Sequence, residues 1–569
     1  MPEGSNTSAA QVFAAAFKRH GVEVIFGQSI PSAFFLATPS FGIDQLTYRM
    51  ENAGAVMADA YARISRKVGV VTAQNGPAAT LLVAGLAEAL TASSPVVALV
   101  QDTPPIFRDR NAFQELDHLD LFKGCAKWIR RIEDIRRIDD YVDMAFRAAT
   151  SGRPGPAVLL APVNVMEAAQ AAASGRADSI GHVPLDRPVA DGAALDEAAR
   201  LLAQAEHPLV WAGGGVHMSD ACAALARLQE EAHLPVATTT MGKGAIDDGH
   251  ALSIGVIGYY MATGSATKFQ RPLVDEADVI LAVGNRTNQN GTDSWSLLPP
   301  GCRILHIDID PQEIGRNHEA LRLVGDARAT LEALTARLKA GDLGKRKAAR
   351  AGVEKRIAEG KARHREEIAA IAASDASPLR PERLMADLDR VLTPEHIVVA
   401  DASYSSIWIC NSLKSRRAGQ RFLTPRGIAG LGWGLPMAIG AKVACPDAPV
   451  FCLAGDGGFA HVWSELETAR RLGTHVVLAV LNNEILGYQW HAEEARYGDH
   501  TSACQFTSVD HAAVANAAGC RGVRVDRADA FGPALEEAFA MTDRVTTVID
   551  VVTDPTAHPP ITAFEKAKR

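Results

Sequence analysis

The 569 residues are too many for one hydrophobic core, and ordinary domain size divides them into roughly three to four domains. Apolar residues make up 47% and charged residues 22%, the balance of a globular chain, which excludes fibrous, low-complexity and disordered classes. With 58 basic against 66 acidic residues the formal charge is −8, so no global cationic field is available for nucleic acid or an anionic membrane.

The N-terminus lacks the basic and apolar regions of a secretory signal, and no apolar run is long enough to span a bilayer, which predicts a cytoplasmic protein. Eight scattered Cys include no C-x-x-C pair and read as reduced, mostly buried thiols.

Short β-branched runs at 22–26, 68–73 and 96–100 alternate with Ala-rich helical stretches at 53–63 and 79–91, and a further strand at 157–161 closes the block. That βαβ rhythm predicts a mainly parallel sheet covered by helices. Residues 166–190, rich in Ala, Gly, Ser and Asp, read as a linker. A second block has strands at 208–213, 235–239, 279–283 and 303–309, then one helical stretch from about 327 to 372. Its very basic segment 345–365 reads as a solvated helix face, with a phosphate-binding surface as the alternative. A third block has strands at 396–400, 450–454, 475–481 and 547–552. The prediction is therefore α/β, three doubly wound domains with mainly parallel sheets, over 1–180, 190–340 and 375–569.

The sharpest local signal is Gly455-Asp456-Gly457-Gly458-Phe459, where a strand stops and a helix begins. Glycines let a diphosphate approach the backbone, the helix N-terminus favours the anion, and Asp456 can supply one oxygen to Mg²⁺. A helix and a strand later comes Asn482-Asn483, and Asn483 can give that ion a neutral second oxygen. Gly-Asp-Gly alone is an ordinary turn; followed by Asn-Asn at the next strand end it points to a metal-diphosphate site.

Further motifs stand in order along the chain. They are the block from Tyr48 through Glu51-Asn52-Ala53-Gly54 to Arg63, then Asn111-Ala112-Phe113-Gln114-Glu115, and Gly242-Lys243-Gly244-Ala245. Asp308-Ile309-Asp310-Pro311 with Val324-Gly325-Asp326 follow, and after them Gly430-Leu431-Gly432-Trp433-Gly434-Leu435-Pro436. Together with the diphosphate motif they make the chain resemble, over nearly its whole length, the thiamine-diphosphate enzymes of the acetolactate-synthase-like group.

The resemblance implies pyrimidine-binding, middle and diphosphate-binding domains, with thiamine diphosphate and Mg²⁺ as cofactors. It also implies active sites shared between subunits, hence a homodimer or homotetramer. By the same likeness Glu51 would hydrogen-bond N1′ of the aminopyrimidine and drive loss of the thiazolium C2 proton. Leu431 would sit under the cofactor, Tyr404 and Ser405 would touch the diphosphate, and the Ile485 carbonyl would join Asp456 and Asn483 on the metal. Gln114 and Gln28 would face the substrate as donors to a developing oxyanion.

For the reaction, the segment Asn285-Arg286-Thr287-Asn288-Gln289-Asn290-Gly291-Thr292-Asp293 departs from the flavin segment of acetolactate synthases, which puts FAD in doubt. The lid segment Leu486-Gly487-Tyr488-Gln489-Trp490-His491-Ala492-Glu493-Glu494 also departs, placing Tyr488, His491, Glu493 and Glu494 near the substrate. A carboxylate there suits a base for a 2-hydroxyacyl thioester. The layout thus looks like the bacterial 2-hydroxyacyl-CoA lyases, which give a ketone or aldehyde plus formyl-CoA through a C2 carbanion. Glu493 is the preferred base and Glu494 its rival. On this reading CoA phosphates meet the basic segment or Lys566, Lys568 and Arg569, and the tail after Asp554-Pro555 folds over as a lid. The alternative is acetolactate-synthase-type decarboxylation and carboligation of 2-oxo acids such as pyruvate. Either way the expected partner is a small molecule, with neither nucleic acid nor membrane involved.

Overall fold

The structure, a computed structural model, describes residues 7–171 and 175–566. It contains three six-stranded sheets in which every strand pairing is parallel. This is the α/β architecture that the alternating rhythm predicts.

The first sheet runs Asp44–Thr47, Val24–Gly27, Gly69–Ala73, Val96–Asp102, Ala157–Pro162, Trp128–Arg131. The second runs Ala320–Val324, Arg303–Asp308, Val279–Val283, Pro208–Ala212, Val236–Thr238, Ser253–Val256. The third runs Phe422–Leu423, Ile397–Ala400, Val450–Gly455, Val477–Asn482, Thr547–Val552, Arg521–Val525. Inner strands such as Val279–Val283 are buried along their whole length because helices cover both faces. The strands without a counterpart in the sequence reading are the two outermost of each sheet. Asp44–Thr47, Trp128–Arg131 and Ala320–Val324 carry charged or polar residues on a water-facing side, so they lack the continuous apolar run that marks a buried strand.

The chain parts into two compact units. One holds residues up to Asp186 with Pro425–Asp447 and Val462–Thr474; the other holds Arg187–Thr424, Ala448–His461 and His475 onward. Helices Gly434–Ala444 and Glu465–Leu472, written within the third block, therefore pack in the same unit as the first sheet. Helix Gly434–Ala444 crosses helix Glu51–Ser65 backbone to backbone: a Cβ on Gly440 would lie 2.3 Å from the Met57 carbonyl oxygen.

Two expectations are corrected. The helical stretch 327–372 is two helices, Ala327–Ala340 and Gly344–Ala372, because the Asp342 side chain accepts from Gly344 N–H at 2.8 Å and turns the chain between them. The basic run on the second helix is not a freely solvated face. Arg350 pairs with Glu230 at 2.7 Å and Glu354 at 2.6 Å, Arg356 pairs with Glu276 at 2.8 Å, and Arg346 is buried against the Ala205 carbonyl. Those cations fasten the helix to the second sheet's domain. Lys568, Arg569 and the Lys566 side chain lie outside the described residues. Among the described residues no helix is long and apolar enough to cross a membrane.

Candidate active site

The unit built on the second and third sheets carries the diphosphate motif where the strand Val450–Gly455 meets the short helix Asp456–Ala460. Asp456 is 7% exposed. One carboxylate oxygen accepts from Gly457 N–H at 2.8 Å, and the other accepts from Glu484 N–H, at the next strand end, at 2.7 Å. Burial outweighs these bonds and pushes the carboxyl up to about 6. A buried carboxylate held upward in this way is the group that a divalent cation returns to its ionised form.

The two asparagines divide their work. The Asn482 amide is spent in the core, donating to Val509 O and the Asp550 carboxylate at 2.9 Å each. Asn483 is only partly buried and its oxygen has one long contact, 3.4 Å from Ile485 N–H, so it is the member available to an ion. Ile485 is buried beside it, in an isolated bridge with Gln505. Gly455 has open space where a Cβ would stand, whereas a Cβ on Gly457 would meet the Phe506 ring at 2.7 Å. Phe459 is a core residue packed on the His511 ring, so it offers the site only backbone, as do Gly457 and Gly458. Asp456, Asn483 and the Ile485 carbonyl are thus an all-oxygen donor set next to a cradle without side chains, and it fits a Mg²⁺-diphosphate.

Tyr404 and Ser405 begin the helix Tyr404–Ser412, both buried. Tyr404 points into the lid helix Gly487–Tyr497: its hydroxyl lies 2.7 Å from His491 Nδ1, an atom also 2.8 Å from Gly487 O. Burial, and after it the neighbouring His558, hold His491 below the usual imidazole range. The tail packs on the same helix, with the His558 ring 5.0 Å from His491 and the Phe564 ring 5.6 Å from Tyr488. Thr562 donates to the Asp293 carboxylate at 2.5 Å and Glu565 accepts from Thr263 N–H at 2.8 Å, so the tail ties the lid helix to the middle domain.

The two lid carboxylates are committed locally. Glu493 accepts from the Gln489 amide and from Thr501 N–H, each at 2.7 Å, and these bonds lower its pKa. Glu494 meets His500 at 2.6 Å. In the middle domain, amides of the glycine run are also taken: Gly213 donates to Val283 O at 2.9 Å and Gly215 to Gly284 O at 3.0 Å. Asn285 turns its oxygen back on Thr287 N–H at 3.0 Å.

The other unit carries Glu51 as the first residue of helix Glu51–Ser65. Its carboxyl makes no hydrogen bond to another side chain among the described residues, and burial raises it above the usual carboxylate range. The loop ahead of it is gripped by Glu465, a residue that sequence reasoning missed. This fully buried carboxylate accepts from Arg49 N–H at 3.2 Å, Met50 N–H at 3.0 Å and the Thr468 hydroxyl at 2.7 Å. Gln28 donates to Arg49 O at 2.8 Å and so lies beside the same turn.

Gln114 adopts φ 59°, packs against Gly76 at φ 64°, and leaves its buried side-chain oxygen without a partner among the described residues, while Glu115 is spent on Asp109 and Ala112 N–H. Leu431 is 36% exposed beside Ile428, so it is not a core leucine. Its loop is fixed by Glu88, also missed from sequence. Glu88 accepts from Gly427 N–H at 2.8 Å and Ile428 N–H at 2.7 Å, while Arg63 bridges it at 3.1 Å to Asp59 at 2.9 Å.

Three family descriptions match in order: "Thiamine pyrophosphate enzyme, N-terminal TPP binding domain" over residues 7–121, "central domain" over 195–334 and "C-terminal TPP binding domain" over 401–551. The chain is 34% identical over 562 residues to a probable acetolactate synthase large subunit of Methanocaldococcus jannaschii, covering 96% of this chain and 92% of that one. It is 33% identical to the acetolactate synthase large subunit of Parasynechococcus marenigrum, covering 96% and 87%. To the acetolactate synthase isozyme 2 large subunit of Escherichia coli it is 29% identical, covering 93% and 92%.

Proposed function

This chain belongs to the thiamine pyrophosphate enzyme family, and from that premise we propose that it decarboxylates a 2-oxo acid such as pyruvate and joins the remaining acyl unit to a second carbonyl compound. This is chemistry of the acetolactate-synthase type. Bound thiamine diphosphate would supply an electron sink beside the substrate carbonyl. Asp456, Asn483 and the Ile485 carbonyl hold the Mg²⁺ that neutralises the diphosphate. Glu51 would pass a proton to and from the aminopyrimidine N1′, and burial, which raises its pKa above the usual carboxylate range, favours the protonated form. Gln28 and Gln114 act as substrate-side donors, and Leu431 is the apolar support under the cofactor. The chain works as a homo-oligomer, with Glu51 of one subunit serving the diphosphate site of another.

The observation that carries the choice of substrate is the state of the lid carboxylates. Cleavage of a 2-hydroxyacyl-CoA requires a base over the reacting carbon, and both oxygens of Glu493 are already engaged by Gln489 and Thr501. Glu494 is likewise paired, with His500. A 2-oxo acid needs no such base, because its C–C bond breaks with loss of neutral CO₂ and no hydroxyl proton has to be removed. The full-length relatives named acetolactate synthase support the same reading. Incubating the protein with thiamine diphosphate, Mg²⁺ and [1-¹³C]pyruvate tests it. Labelled CO₂ with acetolactate is the expected result, and pyruvate left intact under conditions where the cofactor binds would refute it.

A further inference from the structure

A cavity of about 580 Å³ lies in the unit of the second and third sheets, a volume suited to a small organic ligand. Its walls come from the basic helix Gly344–Ala372, the helices Pro381–Val391 and Tyr404–Ser412, the edge strand Ser253–Val256, and the tail at His558 and Pro560. Most of the lining is apolar, with Ile254, Val256, Ile368, Ile371, Met385 and Trp408 among it. None of the residues assigned above to the metal, the diphosphate or the aminopyrimidine lines it.

The charges in this wall are unequal in a way that defines an occupant. Each of its four carboxylates has a partner. Asp248 accepts from Ser415 N–H at 2.8 Å, Glu367 meets Lys268 at 3.0 Å, Glu382 meets Arg380 at 2.9 Å, and Asp389 meets Arg416 at 3.2 Å. The cations of the basic helix that line the cavity form no ion pair in return among the described residues. The Lys361 ammonium has three donors, and among the described residues it uses one, on the Asp248 backbone carbonyl at 2.8 Å. The Nδ1 atom of His364, one turn further along, is buried without a partner among the described residues. Arg365 lies beside them with no carboxylate in pairing distance among the described residues.

We propose that this cavity is a binding site for a small monocarboxylate with an apolar body, its carboxylate held by Lys361 and His364 and its chain or ring laid against Trp408, Ile368 and Ile371. The four acidic residues in the wall disfavour a multiply charged phosphate, whereas a single negative charge answers the donors left over. Burial lowers the Lys361 pKa, the nearby Asp248 and Asp247 carboxylates offset this only in part, and an anionic ligand would relieve the rest of that cost. The site also has a route to the lid: His558 forms part of the wall and its ring stands 5.0 Å from His491 in the lid helix.

The test uses the full-length protein loaded with thiamine diphosphate and Mg²⁺, with hexanoate as probe and hexanamide and hexylammonium as the neutral and cationic controls. Calorimetry and tryptophan fluorescence follow binding, and hydrogen exchange follows its location. The expected result is one hexanoate per chain, at least tenfold weaker binding of both controls, and added protection in segments 361–372 and 558–560. Lys361→Gln should weaken hexanoate at least tenfold, and Ala372→Phe, which fills the cavity from a different wall position, should abolish binding. Absence of hexanoate binding, equal binding of hexanamide, or hexanoate binding unchanged in both variants would overturn the proposal.

Discussion

The Glu465 carboxylate accepts a 3.0 Å hydrogen bond from the backbone N–H of Met50, the residue next to Glu51. It also accepts from Arg49 N–H, so a single buried side chain sets the direction in which the helix bearing Glu51 begins. Replacing Glu465 by Gln keeps the shape but removes the charge and leaves one of the amides with a poorer acceptor. A charge-assisted bond of this kind contributes about 1.5–3 kcal/mol. The expected outcome is faster hydrogen exchange at the Arg49 and Met50 amides and a lower turnover, with diphosphate affinity retained. Unchanged exchange at those amides would remove Glu465 from this role.

Glu51 itself is predicted to act on the proton rather than on binding. Glu51→Gln should slow exchange of the cofactor C2 proton by about 10²- to 10⁴-fold, the usual worth of a positioned general acid–base group. Mg²⁺-diphosphate affinity should stay within a few fold. Quenched-flow NMR of the bound cofactor measures the first quantity and calorimetry the second.

The Asp456 carboxyl, raised from 3.8 to about 6 by burial, makes stability depend on pH. The folded metal-free protein binds this proton more tightly than the unfolded chain does, so the group destabilises the fold increasingly as pH rises from about 4 through 6. About two pKa units bound the effect near 3 kcal/mol. Mg²⁺ with the diphosphate offsets it, so the thermal shift on adding them should be larger at pH 7.5 than at pH 4.5, and the difference should vanish in Asp456→Asn.

Leu431 separates function from packing. A buried leucine cut to alanine costs about 2–5 kcal/mol, whereas a surface change stays within about 0.5 kcal/mol. Because Leu431 is 36% exposed in the single chain, Leu431→Ala should leave monomer stability nearly unchanged while cofactor affinity or turnover falls. A large loss of stability without loss of activity would return it to the core.

How far the sequence reached follows from where each signal is stored. The placement of Asp456 and Asn483 at two neighbouring strand ends was legible because it is written locally, a Gly-Asp-Gly turn at one strand end and Asn-Asn at the next. The inner strands were legible because burial on both faces demands an unbroken apolar run. The outer strands, such as Trp128–Arg131, were not, since one side faces water and their residues mix arginine with isoleucine. Glu51 was reached through resemblance, but its support was hidden: Glu465 and Arg49 are 416 positions apart, and Glu88 and Gly427 are 339 apart. Glu465 reads locally as an ordinary acid at a helix start, and nothing in its neighbours announces two distant amides. Glu493 shows the opposite pattern. Its place in the lid segment was clear, but the bonds that occupy its oxygens come from Gln489 and Thr501, which the spacing alone did not reveal.

The most direct test of the account offers the cofactor-loaded protein pyruvate and 2-hydroxyisobutyryl-CoA in parallel and follows the products by mass spectrometry. CO₂ and acetolactate from the first, with the thioester untouched, is the predicted result. Formyl-CoA and acetone from the second, lost in Glu493→Ala while the cofactor stays bound, would contradict it.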